Sequence, residues 1–323
     1  MISPLRMLPD KYRVLDHVVP FQIPGFMRQC TPGNLLFAPA EIDSKDWFNR
    51  FADTVIAAIG KRYLPVCRLS DGEFKLLLGE HPFLLLQSMP HRIHQWVRMC
   101  GRRILRRRVN FATWQGVSSG SYDREEILKF RQKYGEQLVR LSEQGFLAIH
   151  LSYGPVPFQE QYFPSFKQWL IDAHLALTFQ NYAPFYFVYA LLTGPRRSAV
   201  LKGRRVLLVN GADRAKQVRI EASLLREGVT EVYWCPISAS RSMFDQIDIA
   251  PWRGRVDLAL VGAGVGKPNI LLQLEPLGVP AIDAGFVFEV WSEPEMRWHR
   301  PVCVPDDSYD KAQVKFLPPG FSA

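Results

Sequence analysis

Arg68-Leu69-Ser70-Asp71-Gly72-Glu73 places a guanidinium, a hydroxyl and two carboxylates within one short run, directly after an apolar stretch. Two carboxylates spaced as Asp-x-Glu outside a regular strand can converge on a hard cation, and Gly72 keeps the intervening backbone open to a ligand's phosphates. Mg²⁺ or Mn²⁺ held by Asp71 and Glu73, with water and diphosphate oxygens completing its shell, is the chemistry such a pair suits. The same residues also make a polar turn in which Asp71 caps a helix starting near Glu73 and Arg68 pairs locally.

Three further segments place polar groups or glycines where chemistry could occur. Gly262-Ala-Gly264-Val-Gly266-Lys267 could let a backbone approach phosphate, with Lys267 offsetting its charge. It matches neither a dinucleotide fingerprint, which needs Gly where Lys267 stands, nor a Walker loop, whose spacing differs and which needs a hydroxyl where Pro268 stands. Phosphate contact and tight strand-to-helix turn both remain open for it. Asp283-Ala-Gly285 and Asn210-Gly-Ala-Asp213 each put an Asp at a predicted strand end, with Asp283 the first and Asp213 the second candidate for accepting a proton.

The elements that must position these residues are legible from period and punctuation. Ser44 is expected to cap a helix with an apolar stripe through Trp47, Phe48, Phe51, Val55 and Ile59, stopped by Gly60 and followed by a strand at Leu64 to Arg68. Asp123 and Glu126 read as a capping-box start to a helix ending at Gly145, with a buried strand at Phe146 to Leu151. Helices are expected at 165–178 and 184–193. Then come strand Arg205 to Asn210, helix 214–227, strand Glu231 to Cys235, strand Val256 to Val261, helix 268–277 and strand Val279 to Asp283. This alternation predicts an α/β fold, a Rossmann-like, mostly parallel sheet with helices on both faces. Ligands in such sheets lie beyond the carboxyl ends of the strands. The expected organisation is a Pro-rich arm over residues 1–43, one domain over 44–300 and a tail over 301–323.

With 323 residues, 47% of them hydrophobic and 22% charged, the chain can bury a large core, and its composition excludes a disordered or collagen-like protein. Five scattered cysteines without a C-x-x-C suit neither a disulfide framework nor a zinc knuckle and fit a reducing cytoplasm. No apolar run is long enough to cross a bilayer. The formal charge of +9 is concentrated: from His81 to Tyr122 there is no acidic residue, while Arg92, Arg98 and five arginines between Arg102 and Arg108 fall inside that window. Ile93, Trp96, Val97, Cys100 and Ile104 recur at helical steps, so a helix over 91–108 would turn most of these arginines to one face. Such a face could meet an anionic membrane surface, a phosphorylated substrate or nucleic acid, or simply be solvated. H-E-x-x-H and G-x-S-x-G motifs are missing, and His150 and His174 read as core or boundary histidines.

The run Arg68 to Glu73, after a helix and a short strand, resembles the R-x-G-D-G-E segment of the bacterial GT-D fold glycosyltransferases, whose Asp-x-Glu is their metal and nucleotide-sugar signature. Asp257-Leu-Ala-Leu-Val-Gly-Ala-Gly264, its helix, and Pro280-Ala-Ile-Asp283-Ala-Gly285 are similar to that family's C-terminal strand, glycine loop, helix and D-x-G-H ending. The resemblance implies a GT-D type fold and a divalent-metal-dependent transfer of a sugar, from a UDP-sugar first among nucleoside diphosphate donors, to a glycan, lipid-linked or protein-linked acceptor. Asp71 and Glu73 would then be the metal and donor motif. Arg68 and Ser70 would lie beside the diphosphate with Gly72, and Gly262, Gly264 and Lys267 would line the same cleft. Two positions depart from the pattern: Phe286 stands where the family has His, and Ser70 where it has Gly. Outside this resemblance, a nucleic-acid-binding protein using the basic helix 91–108 is the alternative, and a dinucleotide-dependent oxidoreductase is disfavoured by the broken glycine fingerprint.

Overall fold

The computed structural model describes residues 17–26, 35–78, 109–110, 121–122, 124–153, 157–239 and 241–315. Seven strands form the main sheet: β3 (Leu64–Leu69), β6 (Phe146–Ile149), β8 (Tyr182–Pro184), β9 (Arg205–Asn210), β10 (Glu231–Pro236), β11 (Leu258–Gly262) and β12 (Pro280–Asp283). Their order is β10-β9-β11-β12-β3-β6-β8, and every neighbouring pair is parallel. This is an α/β architecture with the helices on both faces of a parallel sheet. Apart from the edge strand β10 and the ends of β9 and β11, the strands are buried throughout, which is why they read as continuous apolar runs rather than alternating ones.

The helices are α1 (Ser44–Ala58), α2 (Asp71–Leu78), α3 (Arg124–Gln144), α4 (Pro157–Asp172), α5 (Phe185–Thr193), α6 (Arg197–Leu201), α7 (Arg214–Arg226), α8 (Lys267–Gln273) and α9 (Val287–Ser292). β9 leads through α7 outward to β10, whereas β11 leads through α8 the other way to β12. Right-handed crossovers running in opposite directions put α7 and α8 on opposite faces, and the strand order reverses between β9 and β11. α8 packs on α3, while α9 packs on α7 and α5.

Outside this sheet, β1 (His17–Pro20) and β2 (Leu35–Ala38) pair antiparallel and β7 (Ser152–Tyr153) adds to β2, while β4 (Val109–Asn110) pairs with β5 (Ser121–Tyr122). Phe21, Ile23, Phe26 and Leu36 of the N-terminal segment are buried in the same core as the main sheet.

Several local expectations shift. Asp43, not Ser44, caps α1, its carboxylate accepting from the Lys45 and Asp46 N–H groups at 2.8 and 3.3 Å. Ser44 instead exchanges hydrogen bonds of 2.8 Å with the backbone of Gln22, tying the N-terminal segment to the body. The helix expected at 165–178 runs from Pro157 to Asp172, and His174 lies beyond it at φ 53°, in a left-handed turn that closes the helix through Leu175 N–H and the Leu170 carbonyl. Strand β8, only three residues long, carries no readable period and was not anticipated. Asp123, the basic segment 91–108 and residues 1–16 and 316–323 lie outside the described residues.

Candidate active site

Arg68 sits in β3, a strand buried at every position, so its charge must be met inside the protein. Asp283, the last residue of the neighbouring strand β12, meets it. Arg68 Nε and Nη2 donate to the two Asp283 carboxylate oxygens at 3.2 and 3.1 Å, and the Arg68 backbone N–H adds a third bond of 3.3 Å. The guanidinium is flanked by aromatic rings of α5, lying 4.9 Å from the Phe185 centroid and 4.7 Å from that of Tyr189. Arg68 and Asp283 are 4% and 1% exposed.

The close approach depends on Gly285. This residue has φ 46°, and a Cβ there would lie 1.5 Å from Arg68 Nη2. The Asp-x-Gly ending of β12 therefore positions both the acceptor of the guanidinium and the gap it fills. Arg68 Nη1 is left buried with no acceptor at hydrogen-bond geometry.

Lys267, the first residue of α8, extends the cluster. Its Nζ lies 2.6 Å from Glu73 Oε1 and 3.2 Å from Asp283 Oδ2, and both Lys267 and Glu73 are 5% exposed. Burial alone would pull the Lys267 pKa down; the Asp283 and Glu73 carboxylates outweigh it and hold the ammonium above its ordinary range. Burial likewise pushes Asp283 up, but Arg68 and Lys267 overcome it and keep the carboxyl below the usual range. Two cations and two anions thus balance in one buried group.

Glu73 has a second role. Ser70 precedes α2, and its carbonyl accepts from the Phe74 N–H at 3.0 Å, while Glu73 Oε2 accepts from the Ser70 N–H at 2.9 Å and its hydroxyl at 3.3 Å. Ser70-x-x-Glu73 therefore supplies the carboxylate half of a capping box, with Ser70 in the capping position that the turn reading assigned to Asp71. Asp71 opens α2, and its side chain lies outside the described residues. Gly72 lies in the first turn of the same helix.

The glycine loop ends β11 at the same edge. Asn210 of β9 donates through Nδ2 to the Gly262 carbonyl at 2.8 Å, and a Cβ on Gly262 would come 2.3 Å from that nitrogen. Gly264 begins a short 3₁₀ turn running directly into α8. Asp213 caps α7, accepting from the Lys216 N–H at 2.8 Å.

The structure therefore brings Arg68, Ser70, Glu73, Lys267 and Asp283 together, with Gly262 and Gly264 on the same strand-end edge, and leaves Asp213 at a separate helix cap. As a proton acceptor Asp283 is weak, because both oxygens hold cations. Of the expected metal pair Asp71 and Glu73, only the Glu73 side chain lies among the described residues, and by itself it does not make a divalent-ion site. Both Glu73 oxygens are engaged by Lys267 and Ser70, and among the described residues no three His, Cys, Asp or Glu side chains are grouped to hold a metal.

Some residues of the site were not singled out in the sequence. Phe185 and Tyr189 belong to a segment whose aromatic content reads as core, yet they flank Arg68. His150, just past the end of β6, hydrogen-bonds through Nε2 with the Tyr186 hydroxyl at 3.0 Å, and its backbone N–H donates to the Leu69 carbonyl. Burial, with help from Arg300, lowers its pKa to about 3, so the imidazole is neutral. Phe286 packs with Tyr189 and lies under Arg300, extending the aromatic wall along this edge.

Neither a family model nor a curated protein matches the chain. Among solved structures it is similar to a selenomethionine-substituted domain of unknown function 1792, at 15% identity over 78% of this chain and 85% of that one, with a TM-score of 0.39. It is also similar to a highly conserved domain of unknown function 1792 described as having a distinct glycosyltransferase fold, at 14% identity over 77% of this chain and 86% of that one, with a TM-score of 0.40. Among the described residues, no helix is long and apolar enough to cross a membrane.

Proposed function

We propose that this protein is a glycosyltransferase that takes a nucleoside diphosphate sugar, a UDP-sugar first, and passes the sugar to a glycan, lipid-linked or protein-linked acceptor. The observation that carries this reading is the convergence, at the carboxyl edge of a parallel sheet, of the Gly262 to Gly266 turn with Arg68, whose Nη1 is buried without an acceptor. Crevices at this edge take ligands, glycines let a backbone approach phosphate, and an unspent guanidinium N–H suits an anion. The resemblance of the Arg68 to Glu73 and Asp257 to Gly285 segments to GT-D glycosyltransferases points the same way.

In this reading the chain acts mainly through preorganised charge. As the bond between sugar and phosphate breaks, negative charge grows on the leaving nucleoside diphosphate, and donors already fixed in a dry site stabilise it without reorganising. Arg68 is such a donor, locked by Asp283 and by the Phe185 and Tyr189 rings. The basic segment 91–108 would bring the enzyme to an anionic membrane surface at its cytoplasmic side, where flotation with anionic but not neutral vesicles is the expected result.

Calorimetric titration of UDP, then GDP, CDP and TDP, tests the donor site. Binding of at least one, weakened tenfold or more by Gly262→Val, is expected. Failure of all four would overturn the reading, and salt-sensitive binding to nucleic acid in its place would favour the basic helix as the functional surface.

A further inference from the structure

Among the described residues, Glu73 and Asp283 are the carboxylates that come together at this edge, and a cationic partner already stands between them. Lys267 Nζ contacts Glu73 Oε1 at 2.6 Å and Asp283 Oδ2 at 3.2 Å. The remaining oxygens are spent as well, Glu73 Oε2 on the Ser70 N–H and hydroxyl, and Asp283 Oδ1 on Arg68 Nη2. Among the described side chains, Arg68 and Lys267 stand opposite Glu73 and Asp283, and this group is neutral. A divalent ion entering at Glu73 would have to displace an ammonium and would leave the group with excess positive charge in a water-poor site, which is costly.

We propose that the Lys267 ammonium takes the place of a divalent ion in this site, so that Glu73 binds no metal and nucleoside diphosphate binding proceeds without one. The second half of this inference rests on the donor reading above; the first half does not. Lys267 is in this view a tethered cation, delivered by the glycine turn that starts α8 and matched to Glu73 by the capping box that starts α2. Its position fixes the Glu73 carboxylate, while the neighbouring Arg68 Nη1 is buried with no partner at hydrogen-bond geometry.

Mn²⁺ alone is the first probe, followed by its paramagnetic resonance signal, which is lost on binding. Wild type and Glu73→Gln should deplete free Mn²⁺ equally, since any weak surface binding is common to both. Lys267→Met, which removes the cation and exposes two carboxylates to each other, should gain a Mn²⁺ site that disappears in the Lys267→Met, Glu73→Gln double variant. A wild-type site lost in Glu73→Gln overturns the proposal, and so does a folded Lys267→Met with no new site. Should circular dichroism show Lys267→Met unfolded, Lys267→Ala at the same position and the wild-type comparison with Glu73→Gln decide the matter.

The second probe is UDP, or whichever nucleoside diphosphate binds, titrated with Mn²⁺ and with excess chelator. Equal affinity is expected, and a tenfold or larger loss in chelator overturns metal independence while leaving the transferase reading intact. If no nucleoside diphosphate binds under any condition, the transferase reading fails and the Mn²⁺ result still stands on its own.

Discussion

Arg68 and Asp283, 215 residues apart in sequence, form a two-pronged ion pair across the adjacent strands β3 and β12, with a third bond from the Arg68 backbone N–H to the same carboxylate. The pair ties the carboxyl end of the polypeptide's first main-sheet strand to the carboxyl end of its last. It also sets the plane of the guanidinium against Phe185 and Tyr189, so that fold closure and site geometry depend on the same contact.

Removing either partner leaves a buried charge only partly compensated. Arg68→Met and Asp283→Asn should each cost about 3–5 kcal/mol in denaturant-unfolding free energy. The double variant should cost clearly less than the sum, because it removes both charges together. Additive losses would show that the two residues do not act as a unit.

Gly285→Ala and Gly278→Ala separate backbone conformation from contact. Both glycines have positive φ, but a Cβ on Gly278 meets open space whereas one on Gly285 would strike Arg68. Gly278→Ala should cost about 1 kcal/mol from the left-handed backbone alone. Gly285→Ala should cost substantially more in the same thermal-unfolding measurement and should also perturb ligand binding at Arg68.

The capping box predicts unequal costs at its two ends. Ser70→Ala keeps the backbone N–H that Glu73 caps and should lose less than about 1 kcal/mol. Glu73→Ala removes both the cap and the partner of Lys267, and should lose several times as much by chemical denaturation.

His150 supplies a pH signature. Its folded pKa, about 3, lies below the unfolded value near 6.5, so its neutral form contributes stability that is fully present above about pH 6.5 and is lost as pH falls toward 3. Melting temperature should therefore decline between about pH 6.5 and 4. His150→Gln, which can keep the Tyr186 hydroxyl bond, should flatten that decline. Asp283 has its pKa lowered by folding, so its contribution is present above about pH 4 and fades only as pH falls further, which separates the two effects.

The alternation of strands and helices from Arg205 to Asp283 was legible in the sequence because its signals are local. Apolar runs such as Val206 to Val209 are buried on both faces of a parallel sheet, and glycines such as Gly228 and Gly278 sit at helix ends with positive φ. Ser70-x-x-Glu73 was equally local, although the adjacent Asp-Gly drew the cap assignment to Asp71. The expectation that Arg68, Glu73, Lys267 and Asp283 could share one site rested on resemblance. Strand order decided their pairing: β12 lies beside β3, with Ile282 level with Val66, which brings the Asp283 carboxylate at the end of β12 within reach of the Arg68 backbone N–H and guanidinium. No periodicity carries such information, since side-chain period reports which face is buried and not which strand is the neighbour. The same holds for Lys267, whose cationic end could have faced phosphate or solvent; only the packing of α8 against the sheet, with two carboxylates already desolvated there, directs it inward.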